Sequence, residues 1–263
     1  MKLRDMLLYL ASPLLFILGW ELYYDIFIRN PFVLAPPSKV FITFIILLSG
    51  RVANFFMPLD ALYSLYHYLM GFSIATLSGF TLGILAGYIE SFRKSIYLLV
   101  EIIRPIPPIA WIPIAILLFK LTHEAAAFII FIGAFFPVLL NTSTGASSVE
   151  KEYIEAAMTL GATKTSQILL KVVIPATLPS FLTGVRVGSG VAWMCVVAAE
   201  LFGVSSYGLG YKIELGRMYH SPDIVISYML MIGVVGLILD RMWTKLEETL
   251  LKWRRGITWG RSS

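Results

Sequence analysis

The stretch LYSLYHYLMGFSIATLSGFTLGILAGYI, residues 62–89, decides the fold. It holds no Asp, Glu, Lys or Arg, and it exceeds the about 20 helical residues needed to cross a hydrocarbon core of about 30 Å. Inside a bilayer every backbone N–H and C=O must find a partner within the protein, and a helix supplies all of them from one segment. The stretch therefore predicts a transmembrane helix.

Comparable apolar runs flank it at 7–27, 96–119, 125–140, 181–203 and 224–240, with 125–140 the shortest. The composition agrees: 58% of the 263 residues are hydrophobic and 14% charged, and the mean hydropathy is +0.80. Such a chain is far more apolar than a water-soluble domain. The expectation is an all-α integral membrane protein of about six transmembrane helices, forming one domain over residues 1–263. Lys2 and Arg4 precede the first apolar run as they would in a signal peptide. That run is long and lacks a small-x-small cleavage site, so it is expected to remain as the first helix.

The net charge of +5 reflects topology. With the amino terminus inside, the inner segments carry Lys2, Arg4, Arg93, Lys94, Lys151, Lys164, Lys171, Arg241, Lys245, Lys252, Arg254, Arg255 and Arg261. The outer segments carry only Arg29, Lys39, Arg51, Lys120, Lys212 and Arg217. This bias follows the positive-inside rule and predicts that both termini are cytoplasmic. The basic residues are not interleaved with aromatics along a strip, so nucleic acid is not an expected partner, whereas membrane lipid is. The single cysteine, Cys195, lies in an apolar run, which excludes a disulfide framework or a cysteine metal cluster within one chain.

Two runs carry small residues at steps of four: Ala75, Gly79, Gly83 and Gly87 in the second, and Gly184, Gly188 and Ala192 in the fifth. Such faces let backbones approach closely, either within the chain or between two copies of it. After the last run, Leu239, Trp243, Leu246, Leu250 and Trp253 recur at helical spacing among charged residues, which predicts an amphipathic helix on the inner membrane surface.

The longest inner connection covers 141–180. Ser147 and Glu150 have capping-box spacing, so a helix is expected from there to about Leu160. Gly161 permits a sharp turn, Thr163 or Thr165 can cap a second short helix, and Pro175 and Pro179 are expected to end it. The predicted hairpin, about 147–180, contains EAAMTLGATKTSQILLKVVIPATLP (155–179).

That segment resembles the EAA loop of ABC importer permeases, with Glu155, Ala156, Ala157 and Gly161 matching position by position. RPIPPIAWIPIAILLF (104–119), GAFFPVLLNT (133–142), GVRVGSGVAWMCVVAAELFG (184–203) and GLGY (208–211) resemble permeases for nitrate, sulfonates and taurine. The resemblance implies a type I importer fold and alternating access. Its expected partners are a second copy of this permease, two cytoplasmic ABC ATPase subunits, and an extracytoplasmic substrate-binding protein. It also implies that Glu155, Ala156, Ala157, Leu160, Gly161 and Ala162 form a coupling helix and bend that engage the ATPase, which would use ATP and Mg. This chain lacks GxxxxGK[ST]: around Lys164 and Thr165, Thr163 and Met158 stand where the P-loop glycines would be. No cofactor is expected on this chain and no catalytic residue is assigned.

Arg104 lies about 15 Å beyond the inner end of the third run at 1.5 Å per residue. A charge at such depth usually faces protein or a watery path, and Pro105, Pro107, Pro108 and Pro113 interrupt the helix beside it. Arg104 is therefore expected to pair with Glu101, to line the path, or both. Arg186, Glu200, Trp111 and Trp193 are further path candidates, with Arg186 and Glu200 able to reach the interface instead because each lies near a helix end. An intramembrane enzyme is disfavoured, because His67, His123 and His220 are far apart in sequence and HExxH and GxSxG are absent. An ion-driven secondary transporter would show inverted repeats and buried acids at matched depths, and needs no EAA-type loop.

Overall fold

The computed structural model describes residues 3–50 and 54–252. Helix α1 (Leu3–Tyr23) continues into a π-helical turn at Tyr24–Ile28, and α2 (Pro37–Ser49) follows. Next come α3 (Met57–Tyr88), α4 (Glu90–Ile103), α5 (Ile112–Phe119) and α6 (His123–Ser147). The chain continues with α7 (Lys151–Thr159), α8 (Thr165–Ile168), α9 (Ile174–Leu201), α10 (Leu209–Met218) and α11 (Pro222–Leu250). Among the described residues, five helices are long and apolar enough to span a membrane, and a bent pair would make a sixth. Helix α2, at 13 residues, was not among the expected spans and is too short to be one.

Helix α6 is the axis of the fold, packed along α3 on one side and α9 on the other. The small-residue faces explain how. On α3, Gly71 faces Ala127, Gly79 faces Val138, Gly83 faces Thr142 and Gly87 faces Ala146. The two helices thus run parallel, and a Cβ at Gly83 would lie 2.6 Å from that of Thr142. On α9, Gly184 and Gly188 meet Pro137 O and Ala134 O of α6, running antiparallel. Ala75 and Ala192 are fully buried. Both stripes are therefore consumed inside the chain, where van der Waals contact between close backbones substitutes for the hydrophobic force that lipid cannot provide.

Several expected boundaries are corrected. Residues 96–119 do not form one straight span: α4 and the segment Pro108–Phe119 are bent by 88°. Four prolines between 105 and 113 remove donors and force this break. The run at 125–140 belongs to α6, which is 25 residues long and not short, because the polar residues Asn141, Thr142, Ser143 and Thr144 continue the helix. Hydroxyls at Thr142 and Ser148 bond back to carbonyls four residues earlier, which removes their cost in an apolar setting. Ser147 consequently ends α6 and does not cap α7, whose N-cap is Glu150 with no side-chain cap bond.

Neither do Pro175 and Pro179 end a helix. Residues 165–201 form one continuous helix with a π-helical turn at Leu169–Val173. Pro175 sits in the first turn after the register shift, where a missing N–H is tolerated. Around Pro179, the hydroxyls of Thr177 and Thr183 donate to Val173 O and Pro179 O. The expected surface helix after the last run is the continuation of α11. Leu239 is buried, and Trp243 packs inward on Phe72 while its indole N–H donates to the Tyr68 hydroxyl. Trp253, Arg254 and Arg255 lie outside the described residues.

Candidate functional site

The α7–α8 hairpin lies at the end of the bundle where α3 and α6 finish and α9 begins. Its bend is closed by two backbone bonds, Gly161 N–H to Met158 O and Ala162 N–H to Ala157 O, both 3.0 Å. This pattern needs a left-handed residue at the turn, and Gly161 has φ +94°. Neither Thr163 nor Thr165 caps α8. Its N-cap is Lys164, and the Gln167 side chain accepts the N–H groups of Thr163 and Lys164 at 3.1 and 3.3 Å.

Ile154 and Ala162 anchor the hairpin on a cluster of Ile84, Ala146, Ile168 and Val173. The opposite side is open. Glu155, Ala156 and Gly161 are exposed, Ala157 is half-buried, and Leu160 is 90% exposed, which is extreme for a leucine. Ala157, Leu160, Gly161 and Ala162 line a shallow cavity of about 300 Å³ with Gln167 and Lys171. The hairpin thus has a packed anchor on one side and an uncovered apolar residue on the other.

Arg104 occupies the break between α4 and α5. It is exposed and lines a cavity of about 220 Å³ with Pro108, Gly133, Phe136, Pro137 and Val191. No Arg104–Glu101 ion pair is present among the described residues; Glu101 instead shares a hydrogen bond with Tyr97. Pro105 and Pro107 are exposed beside the arginine. Trp111 packs edge-on against Phe128, and its indole N–H is buried without a partner among the described residues.

Arg186 is mid-helix in α9, not near an end. Its guanidinium lies 3.2 Å from Asp240 and 3.9 Å from Glu247, both on α11, and all three remain partly exposed. Trp193 is buried and donates to Ile232 O at 3.1 Å. It lines a small cavity of about 70 Å³ that also touches Arg186, Ser189, Gly190 and Asp240.

Glu200 does not reach for an interface. It is fully buried, and its carboxylate is met by Ser64 Oγ at 2.9 Å, His67 Nδ1 at 2.8 Å and the Gly210 N–H at 2.9 Å. His67 Nε2 lies 2.7 Å from His123 Nδ1, so two histidines read as separate in sequence form one chain with the glutamate. Ser64 Oγ also accepts the Leu209 N–H at 2.8 Å. Nearby, Asp60 accepts the Tyr228 hydroxyl at 2.7 Å, and Lys212, 3.8 Å from Asp60, donates to Asn54 O. Sequence reasoning missed both clusters. The available signal was that Asp60, Ser64, His67 and Gly71 share one helical face of an otherwise apolar run.

The chain is similar to known proteins over most of its length. A putative ABC transporter permease of Methanocaldococcus jannaschii is 42% identical over 252 residues, covering 96% of this chain and 94% of the relative. A putative aliphatic sulfonates transport permease of Bacillus subtilis is 34% identical over 248 residues, covering 93% and 87%. A bicarbonate transport system permease of Synechococcus elongatus is 37% identical over 190 residues, covering 72% and 68%. An inward-facing structure of the MetNI methionine ABC transporter shares the fold, with a TM-score of 0.63 over 74% of this chain and 95% of that one at 17% identity. The family model for binding-protein-dependent transport system inner membrane components matches residues 79–251, a range holding the bent pair, the hairpin and Glu200 but not its partners Ser64 and His67. On these grounds the chain belongs to that family, the membrane-spanning permeases of ABC importers.

Proposed function

We propose that this permease imports a small anion by alternating access, in a complex of two copies with two cytoplasmic ATPase subunits and an external binding protein. ATP and Mg act on the ATPase subunits, and closure of those subunits moves the hairpin. The observation that carries the reading is the hairpin itself: Leu160, Ala157 and Gly161 present an uncovered apolar surface on a rigid anchor. The charge bias of the connecting segments supports placing that end, with both termini, in the cytoplasm. The sulfonate and bicarbonate relatives support an anionic substrate. Arg104 at the α4–α5 break suits a weak, transient anion contact, since a tight site in the membrane would slow release.

A tagged copy is expected to co-purify with a P-loop ATPase, and the reconstituted complex to take up labelled bicarbonate, nitrate or an alkanesulfonate only with ATP and a binding protein. Uptake by the permease alone along an ion gradient would refute the importer reading. Strict ATP dependence with a cationic or neutral substrate would refute the anion.

A further inference from the structure

We propose that His123, His67 and Glu200 form a proton-binding relay, loaded at the outer edge of His123, that controls how α10 is clamped to α3 and α9. Its geometry is continuous. Glu200 and His67 have no exposed side-chain surface, while His123 is only partly buried and lines a cavity of about 350 Å³ with Leu59, Leu62, Tyr63 and Tyr66. Among the described residues the two imidazoles form a continuous route from the buried carboxylate to that cavity.

The hydrogen-bond network assigns the tautomers. With Glu200 ionised and both histidines neutral, His67 Nδ1–H donates to Glu200 and His67 Nε2 is an acceptor. His123 must then donate from Nδ1, which leaves the Nε2 lone pair of His123 without a hydrogen-bond partner among the described residues. A proton arriving there converts the relay in one concerted step. His123 Nε2 gains the proton, His123 Nδ1 passes its own to His67 Nε2, and His67 becomes an imidazolium between Glu200 and a neutral His123. One proton has entered and the buried carboxylate has acquired a formal counter-charge.

What that charge steadies is specific. Glu200 accepts the Gly210 N–H in the first turn of α10, Ser64 joins Glu200 to the Leu209 N–H, and Gly208, at φ +110°, leaves no room for a Cβ beside the carboxylate. The relay thus ties α3, α6 and α9 to the start of α10. Other titratable groups around it are accounted for. Glu124 of α6, Tyr63 and Tyr66 of α3, and Tyr207 of the preceding turn surround His123. Of the charges that α10 brings, Lys212 is occupied by Asp60 and Asn54 O and Glu214 pairs with Arg217 on the exposed side, while α5 has no charged side chain.

The chain has three histidines, so ¹⁵N-histidine spectra of the full permease in detergent resolve the question, with His220 as an internal reference. Across a pH series, the His67 and His123 signals are expected to shift together with one shared midpoint. His123→Gln should abolish the movement of the His67 signal, and Glu200→Gln should displace it while leaving His220 unchanged. The proposal is overturned if His67 stays neutral throughout in the wild type, or if His67 and His123 titrate with separate midpoints. It is also overturned if the His67 response survives His123→Gln unaltered. The wild-type titration decides even where Glu200→Gln does not fold.

Discussion

Gly208 shows how much a single position can carry. Its φ of +110° disfavours any side chain, and a Cβ would collide with the Glu200 carboxylate. Gly208→Ala combines backbone strain with displaced hydrogen bonds, together on the order of 3 kcal/mol. Thermal denaturation in detergent should register this as a clear drop in melting temperature. Arg104 has little packing to lose, because it is exposed at a break already made by prolines. Arg104→Ala should leave assembly intact and lower uptake by about tenfold, the equivalent of one lost charge-assisted hydrogen bond; wild-type uptake would remove Arg104 from the path. From sequence, Arg104 stood out as an intramembrane charge, whereas Gly208 entered only within GLGY. Their partners could not be read there, since Glu200 is far in the chain from Ser64 and His67, and Arg104 does not pair with the neighbouring Glu101.

Among the elements, the hairpin and the α3–α6 contact make opposite predictions. Among the described residues the hairpin's outer face is largely open, with Ala157 half-buried at its edge, so Ala157→Trp should change stability by no more than about 0.5 kcal/mol. It should nevertheless abolish co-purification with the ATPase and ATP-dependent uptake. Gly161→Pro, which cannot adopt φ +94°, should do the same by misdirecting the bend. Unimpaired coupling in both variants would count against the docking role. Gly83→Leu drives a side chain into Thr142 and Leu139 O, and overpacking of this kind costs about 1–3 kcal/mol or more. Reduced yield of folded protein and a lower melting temperature are expected, with α3 and α6 separating first. The existence of these elements was legible because hydropathy and Gly161 are local features. Their ends were not, because Thr and Ser hydroxyls let α6 run on and a π turn lets α9 absorb Pro175 and Pro179.

At the scale of the whole molecule, Arg186, Asp240 and Glu247 lie on the outside of one chain, within apolar helices. Charges there are expensive against lipid, so in the proposed assembly this face borders a second copy or a watery path. The sole cysteine, Cys195, is buried, which gives a clean background for labelling. Gly190, one turn from Arg186 with nothing within 4 Å of its would-be Cβ, is the natural probe. Gly190→Cys should react with a charged, water-soluble thiol reagent or cross-link to a second copy, whereas Leu117→Cys, at an 83% exposed apolar position, should do neither. An inert Gly190→Cys would place this face against lipid.

The sequence by itself determined that the chain resides in a bilayer, which runs are apolar enough to cross it, and where the α7–α8 hairpin falls. These properties are sums over contiguous residues, or follow from one residue's backbone freedom. Only the tertiary structure decided that both glycine stripes are spent on α6, that Arg186 finds Asp240 on another helix, and that His67, His123 and Glu200 meet. Those outcomes depend on how each helix is rotated about its own axis against its neighbours, a degree of freedom set by packing across the whole bundle and absent from any single apolar run.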